Sequence, residues 1–376
     1  MQQPKLSEAA AIVATLFVGQ SVQAQDAELP SSMIWTSYDL GAAGYVEASA
    51  IADALDKTFD TRVRITPSGT GIGRLLPLQT GRASYGFMGN EIYFAGEALY
   101  EFAAREWGPQ DLRVLLGRPA SVGLVTGGDT EFMTPADLAG AKIGFVQANP
   151  STTMNTLAVL AFAGLTADDV EQVVYPSYGA MAKAFTAGEV DVAPAIPVSS
   201  FLREAEGGRG VRWMDMPASD TEGWERVKAR ADLFAPSTAT VGVSISADDP
   251  AELVGYRYPQ LTVTADADAD EVYNMIKALD QSFSAYKDAT PVIARWAVQT
   301  AGTTPASVPF HEGAIRYLTE IGVWTDTDQT WNDARIERNA AVQAAWNAAI
   351  DLADVEGVSS KNWPDFWATY RAENLD

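Results

Sequence analysis

The residues best suited to chemistry in this sequence are the small and hydroxylated ones of two short loops, each placed between a predicted strand and a predicted helix. The first loop is Ser68-Gly69-Thr70-Gly71, followed by Ile72, Gly73 and Arg74. The second is Pro150-Ser151-Thr152-Thr153. Free backbone N–H groups at the start of a helix bind anions, and hydroxyl groups there add further donors. The two loops together indicate a site for a small anion, whereas simple N-capping explains each loop taken alone.

The spacing of the glycines argues against a nucleotide site. The run from Gly69 to Gly73 reads G-x-G-x-G, and Arg74 stands where the dinucleotide fingerprint G-x-G-x-x-G has its last glycine. A nucleotide-dependent enzyme on an α/β scaffold is therefore the weaker alternative to a ligand-binding protein.

Residues for catalysis or metal binding are scarce. The chain of 376 residues has no cysteine and a single histidine, His311. Thiolate nucleophiles, zinc–cysteine sites, iron–sulfur clusters and histidine-rich metal sites are therefore excluded. His311 follows a Pro-Phe pair at a predicted helix start, which favours a structural or exposed role. The lack of cysteine is also typical of exported proteins, which thereby avoid stray oxidation.

Two short patterns imitate functional motifs without completing them. Ser284-Ala285-Tyr286-Lys287 fits S-x-x-K, but it lies within a predicted helix and lacks the companion motifs of acyl-transfer enzymes. Three alternating aspartates that begin at Asp266 resemble the start of a calcium loop, yet Glu271 occupies the position of its required glycine. We therefore predict a protein that is not an enzyme and that uses no metal or cofactor.

The charge of the chain limits its partners. Its 49 acidic and 26 basic residues give a formal net charge of -23. Such a field repels phosphate backbones and anionic membranes, so nucleic-acid binding is not expected. An anionic ligand would need local positive charge, and Arg74 and Arg118 are the predicted sources. Their alternatives are an exposed helical arginine for Arg74 and a salt bridge that braces the hinge for Arg118.

The N-terminus has the pattern of a signal peptide. Lys5 precedes the apolar residues 9–19, and Val22-Gln23-Ala24 provides small residues for cleavage. An ordinary N-terminal helix is the alternative. No later stretch reaches the ~20 apolar residues of a membrane span. We therefore expect a soluble mature protein in the periplasm, with residues 1–24 as the signal peptide.

Strand-like apolar runs alternate with helical runs along most of the chain, which predicts parallel sheets covered by helices. Two such series occur, and strands at residues 112–116 and 122–126, joined near Arg118-Pro119, are expected to connect them. Further strands are expected at residues 239–246 and 260–264. Residues after Asp268 look helical, and the six tryptophans there are interpreted as core residues.

The predicted fold class is therefore α/β with two lobes joined by a hinge. Lobe 1 is expected at residues 30–118, lobe 2 at 119–238, and the chain returns to lobe 1 at 239–376 with a helical C-terminal section packed on it. Because ligands of open α/β sheets bind outside the carboxyl ends of the strands, two facing lobes would form a closable cleft.

Several short motifs occur in one order along residues 33–290. They are Trp35-Thr36-Ser37-Tyr38, Gly41-Ala42-Ala43-Gly44-Tyr45, Ala50-Ile51-Ala52, Thr66-Pro67-Ser68-Gly69-Thr70-Gly71, Leu78-Gln79-Thr80-Gly81, Leu138-Ala139-Gly140-Ala141-Lys142-Ile143-Gly144, Gly188-Glu189-Val190-Asp191-Val192 and Val272-Tyr273. This ordered set resembles TAXI-type substrate-binding proteins of TRAP transporters. The sequence departs from the family pattern at Gly44, where an aromatic residue is usual, at Ser84, which replaces an acid, and at Arg118, near an expected tyrosine.

The resemblance implies a type II periplasmic-binding fold, delivery of the ligand to a membrane permease, and small organic acids or acidic amino acids as ligands. The expected partners are thus a small-molecule ligand and the TRAP membrane permease subunits, and the protein is expected to be a monomer. A sensory module that serves a membrane receptor kinase is the other alternative. The predicted ligand-binding residues are Ser37, Tyr38, Gly44, Tyr45, Ser68, Gly69, Thr70, Gly71, Arg74, Asn90, Arg118, Ser151, Thr152, Thr153 and Asn155.

The first testable prediction is export with removal of the leader after Ala24. Small residues before that bond fit the cleavage site of a signal peptidase. N-terminal sequencing of the protein from its native host should therefore find a mature chain that begins near Gln25. An intact Met1 in the soluble pool would contradict the prediction.

Overall fold

The computed structural model describes residues 26–231 and 233–375, and its ten strands there form the frame of the molecule. The predicted signal peptide lies outside the described residues. The strands are β1 (Ser32–Tyr38), β2 (Arg62–Ser68), β3 (Tyr85–Met88), β4 (Leu112–Gly127), β5 (Lys142–Val146), β6 (Glu171–Tyr175), β7 (Val192–Ala195), β8 (Val211–Trp213), β9 (Ala235–Ala239) and β10 (Ala251–Thr264).

Thirteen α-helices lie in the same ranges. They are α1 (Ala43–Phe59), α2 (Gly71–Gln79), α3 (Glu91–Gly96), α4 (Pro150–Phe162), α5 (Tyr178–Ala187), α6 (Phe201–Gly208), α7 (Thr221–Arg230), α8 (Ala269–Gln281), α9 (Phe283–Tyr286), α10 (Val298–Ala301), α11 (Glu312–Glu320), α12 (Asp326–Glu356) and α13 (Trp363–Asn374).

Two long strands, β4 and β10, hold the molecule together. In the first lobe the strand order is β2-β1-β3-β10-β4, with β1 parallel to β2 and β3, and β10 antiparallel to β3 and β4. In the second lobe β5 runs parallel to β6 and β7, and the end of β4 pairs with β7 and β8. The strand β4 thus passes from one sheet into the other. This order confirms the expected fold class, a type II periplasmic-binding fold of two α/β lobes.

The crossing segment differs from its prediction. Residues 112–116 and 122–126 are not separate strands but parts of the continuous strand β4. The Arg118-Pro119 pair, which suggested a turn, lies within it. Pro119 lies opposite Arg257, where the register of β10 shifts. Because proline cannot donate to a strand ladder, it is tolerated at such an irregularity.

The return of the chain to the first lobe also differs from its prediction. The strand expected at residues 239–246 is not formed, since residues 240–246 belong to no strand and β9 ends at Ala239. The next strand, β10, begins nine residues before the expected Gln260. Residues 235–238 were not predicted as a strand because they include Pro236, and proline usually argues against a strand. Proline is tolerated here because β9 pairs only with β10 and is therefore an edge strand.

The helical C-terminal section packs on the first lobe, as expected. The rings of Trp363 and Trp367 each lie 4.9 Å from the ring of Trp346, and Trp367 Nε1 donates to the Ala98 carbonyl over 2.8 Å. The buried carboxylate of Glu97 accepts hydrogen bonds from Arg338 and Arg371. These contacts confirm that these tryptophans are core residues.

The single histidine has a structural role. His311 is buried, and its Nδ1 accepts a hydrogen bond from the N–H of Gly313 over 3.1 Å at the start of α11. Burial lowers the pKa of His311, so the ring is neutral near pH 7 and can serve as this acceptor.

Within the described ranges, none of the helices combines the length and apolar character needed to cross a bilayer.

The second testable prediction concerns the tryptophan cluster. Trp346→Ala should lower the free energy of unfolding by about 3–5 kcal/mol, because it leaves a cavity between Trp363 and Trp367. Chemical denaturation measures this change. Val355→Ala on the same helix is the control, since Val355 is 86% exposed and a surface change costs less than about 0.5 kcal/mol. Equal effects of the two substitutions would contradict the prediction.

Candidate ligand-binding site

A pocket lies where the two lobes meet, at the carboxyl ends of several strands. Its cavity volume is about 40 Å³, room for a few water-sized groups. The first lobe and the crossing strand β10 contribute Tyr38, Asp39, Ala42, Arg74, Tyr256 and Tyr258, and the second lobe contributes Asn149, Ser151, Thr152, Asn155, Tyr178, Pro194, Ala195, Ile196 and Ser199. The position agrees with the rule that open α/β sheets bind ligands outside the carboxyl ends of their strands.

Four tyrosines form much of the wall of the pocket. The ring of Tyr258 lies 5.0 Å from that of Tyr38 and 6.1 Å from that of Tyr256. Burial raises the pKa of Tyr38 well above its usual value, raises the pKa values of Tyr256 and Tyr258, and raises that of Tyr178 to about 12. All four side chains are therefore neutral phenols near pH 7. The hydroxyl of Tyr178 donates to the carbonyl of Pro194 over 3.3 Å, whereas Tyr38 has no partner among the described residues and can donate to a ligand.

Only Tyr38 of these four was predicted from the sequence. Tyr256 and Tyr258 alternate on β10, so they lie on the same face of that strand. This alternation was the available signal, but β10 was expected to begin only at Gln260. Tyr178 opens α5, and no local motif distinguishes it.

Arg74 reaches the pocket as part of a buried ion pair. Its Nε and Nη2 donate to Glu91 Oε1 over 3.1 and 2.8 Å, and the N–H of Gly89 donates to Glu91 Oε2 over 2.9 Å. The guanidinium carbon lies 4.1 Å from the centre of the Tyr38 ring. Arg74 is 2% exposed and Glu91 is fully buried. Arg74 lines the pocket, and its contact with a ligand stays a prediction, whereas Glu91 was missed.

The carboxylate of Glu91 keeps Arg74 positively charged. Burial on its own lowers the pKa of Arg74, but the carboxylate of Glu91 outweighs that effect, and the pKa lies above its ordinary value. Hydrogens on both terminal nitrogens of Arg74 are not used by Glu91. They form a pair of parallel donors, which suits a carboxylate.

The N-terminus of α4 supplies backbone donors to the same pocket. The first-turn N–H groups of Ser151 and Thr152 have no partner within the helix. The hydroxyl of Thr152 is turned back to the carbonyl of Asn149, over 3.1 Å. The second predicted loop therefore lies at the pocket through Ser151 and Thr152, whereas Thr153 donates its N–H to Asn149 and does not line the cavity.

The glycine loop has a different place from the one expected. The hydroxyl of Thr70 caps α2 by accepting from the N–H of Gly73 over 3.0 Å, and the N–H of Ile72 donates to the carbonyl of Ala148 in the other lobe over 3.3 Å. The carbonyl of Gly69 accepts from the N–H of Tyr178 over 3.2 Å. The loop therefore joins the two lobes through the N–H of Ile72 and the carbonyl of Gly69, and its four predicted residues, Ser68 to Gly71, do not line the cavity.

Further polar contacts hold the lobes in a closed arrangement. Ser200 Oγ donates to the carbonyl of Gly41 over 2.6 Å, and Asn90 Nδ2 donates to Asn155 Oδ1 over 3.3 Å. A Cβ atom added to Gly69 would lie 2.6 Å from Cβ of Ser177. Glycine at this position thus permits the close approach of the lobes.

Arg118 lies outside the pocket. Its Nε and Nη2 donate to the two carboxylate oxygens of Glu47 over 2.5 and 2.6 Å, and Trp296 Nε1 also donates to Glu47 over 2.7 Å. Both charged side chains are buried. This geometry corresponds to the brace of the hinge, the alternative to a ligand contact, because Arg118 is paired with Glu47 as Arg74 is with Glu91 but does not line the pocket.

The remaining predicted residues support the pocket or lie away from it. Ser37 is buried and its hydroxyl is 3.5 Å from the carbonyl of Gly44. A Cβ atom on Gly44 would lie 2.3 Å from the ring of Tyr38, which explains why an aromatic residue is not present there. The carbonyl of Ser68 lies 3.4 Å from Arg74 Nη1. Tyr45 lines a separate surface hollow with Asp53 and Arg62 among its neighbours.

Comparison with known proteins gives one family match. A family model described as the NMT1-like family matches residues 44–322. No curated protein sequence matches the chain.

Solved structures resemble the chain at low identity. The alkanesulfonate-binding protein SsuA from Xanthomonas axonopodis pv. citri, bound to MOPS, shares 18% identity over 78% of this chain and 92% of its own, with a TM-score of 0.45. An ancestral arginine-binding protein bound to arginine shares 12% identity over 72% of this chain and 99% of its own, with a TM-score of 0.43. A structure described as a periplasmic transporter shares 12% identity over 82% of this chain and 97% of its own, with a TM-score of 0.48.

The third testable prediction is that Gly69→Ala impairs closure. The added methyl group would collide with Ser177 across the interface, so the open form gains population and affinity for the ligand falls by about tenfold. Small-angle scattering and calorimetry measure the two effects. Gly207→Ala is the control, because a Cβ atom there meets nothing within 4 Å. Unchanged scattering and affinity in Gly69→Ala would contradict the prediction.

Proposed function

The chain belongs to the NMT1-like family, and we propose that it is an extracytoplasmic solute-binding protein that captures a small organic acid or an amino-acid-like carboxylate. We further propose that it delivers this ligand to a TRAP-type membrane permease. The TAXI-like motifs support the permease partner. The observation that carries the binding function is the convergence of Arg74, the N-terminus of α4 and neutral tyrosines on one pocket between two lobes.

The donors of the pocket favour an anionic group on the ligand. Arg74 offers a planar pair of N–H groups, α4 offers the positive end of a helix dipole and Tyr38 offers a phenol. These groups are fixed by the ion pair with Glu91 and by the packing of the lobes, so little ordering is needed when a ligand binds. Such local donors offset the repulsion that a chain of net charge -23 exerts on an anion.

The position of the pocket favours capture and release over catalysis. Its walls come from both lobes, and direct hydrogen bonds such as that from Ile72 to Ala148 join the lobes around it. A ligand that contacts both lobes stabilises the closed form, and opening at β4 and β10 would release it. A sensory module would use the same closure, and genes for large permease subunits beside the gene of this protein would favour transport.

Identification of the ligand is the first test. Native mass spectrometry of protein purified from its host should find a retained organic acid that is lost when the protein is denatured. A retained nucleotide would favour the enzyme alternative and contradict the proposal.

The fourth testable prediction is a matched pair of substitutions. Arg74→Lys keeps the charge but removes the planar donors, so affinity for the identified ligand should fall by at least about tenfold, or ~1.5 kcal/mol. Arg118→Lys makes the same change in the other buried pair and should lower stability while affinity stays within about twofold. Isothermal titration calorimetry measures both affinities. Wild-type affinity in Arg74→Lys would contradict the clamp and favour a neutral ligand.

A further inference from the structure

Most polar groups at the pocket are donors, but one side chain brings an acceptor that the protein leaves unused. Asn149 directly precedes α4 and is 2% exposed. Its side chain does not cap the helix, and its Oδ1 has no hydrogen-bond partner in the part of the chain that the structure describes. A buried amide without a partner costs free energy, so a partner from the ligand is favoured.

The other uncommitted buried atom at the pocket is a donor. Tyr38 Oη also has no partner among the described residues, and the phenol is neutral near pH 7. Tyr38 and the amides of Ser151 and Thr152 can hold the oxygens of a carboxylate. An acceptor oxygen on Asn149 cannot contribute to that task, since a carboxylate is itself an acceptor.

We infer that Asn149 is a specificity-determining residue that selects carboxylates with a hydrogen-bond donor, a hydroxyl or an amino group, on the carbon next to the carboxylate. This inference rests on the proposed function, since it assumes a carboxylate in the pocket. It excludes unsubstituted acids and 2-oxo acids as preferred ligands, because neither can satisfy Oδ1.

The sequence position of Asn149 sets the place of the donor on the ligand. Asn149 is two residues before Ser151 and three before Thr152, whose first-turn N–H groups have no partner within the helix and would bind the carboxylate. The amide group therefore lies beside the carboxylate site, and the nearest part of the ligand is the carbon attached to the carboxylate. The carboxylate of Asp39, another pocket residue, can accept hydrogen bonds but not donate them, so it also favours a donor on the ligand, above all an ammonium group.

The test compares acids that differ only at this carbon. The probes are propanoate, pyruvate, lactate and alanine, and the five-carbon set glutarate, 2-oxoglutarate, 2-hydroxyglutarate and glutamate. Binding is measured by calorimetry on the full mature protein. Within the set of four acids that binds better, the hydroxy acid or the amino acid should bind at least about tenfold more tightly than the oxo acid and the unsubstituted acid.

Two variants separate the acceptor role from a structural one. Asn149→Ala should reduce the preference for the hydroxy or amino acid over the 2-oxo acid to less than about threefold, while the affinity for the 2-oxo acid stays near that of the wild type. Asn149→Asp keeps an acceptor and loses the donor, so it should retain the preference and shift it toward the amino acid. Loss of affinity for all probes alike in Asn149→Ala would show a structural role and overturn the inference.

The outcomes also separate this inference from the proposed function. Tight binding of a 2-oxo or unsubstituted acid by the wild type would overturn the role of Asn149 and leave carboxylate capture intact. If none of the eight acids binds, capture of a small carboxylate is contradicted, and the inference is overturned with it.

Discussion

The buried ion pair between Arg74 and Glu91 is the interaction on which the pocket depends. Glu91 begins α3 and Arg74 lies in α2, so the pair joins two helices that follow successive strands of the first lobe. It also places a guanidinium against the ring of Tyr38. Removal of either charge would leave the other one buried and unpaired, which costs about 3–5 kcal/mol. The lobe thus keeps a cation at the cleft within a strongly acidic protein because a carboxylate neutralises it in place.

The contacts between the lobes determine how such a pocket can work. Backbone groups of the glycine loop and of α5 form hydrogen bonds across the cleft, and Gly69 lets the two surfaces approach. Each of these hydrogen bonds stabilises the closed form only modestly, by about 0.5–1.5 kcal/mol. Closure can therefore respond to a small ligand, since the ligand needs to shift the equilibrium by only a few kcal/mol.

The fold and one half of the site could be predicted from the sequence because their signals are local. Alternating strands and helices indicated two lobes, and the polar residues before α4, together with Arg74 after the glycine run, indicated an anion site. Glu91, Tyr256 and Tyr258 were missed because β3 and β10 bring them to the pocket from distant parts of the chain. Arg118 was predicted as a ligand contact because its partner, Glu47, is 71 residues away, and no local pattern shows such a pair.

A crystal structure of the protein with its retained ligand tests the central claim most directly. We expect an acidic group of the ligand between Arg74 and the N-terminus of α4, with both lobes in contact with it. A ligand bound outside the pocket between the lobes, or one whose acidic group points away from both Arg74 and the amides of Ser151 and Thr152, would contradict the account.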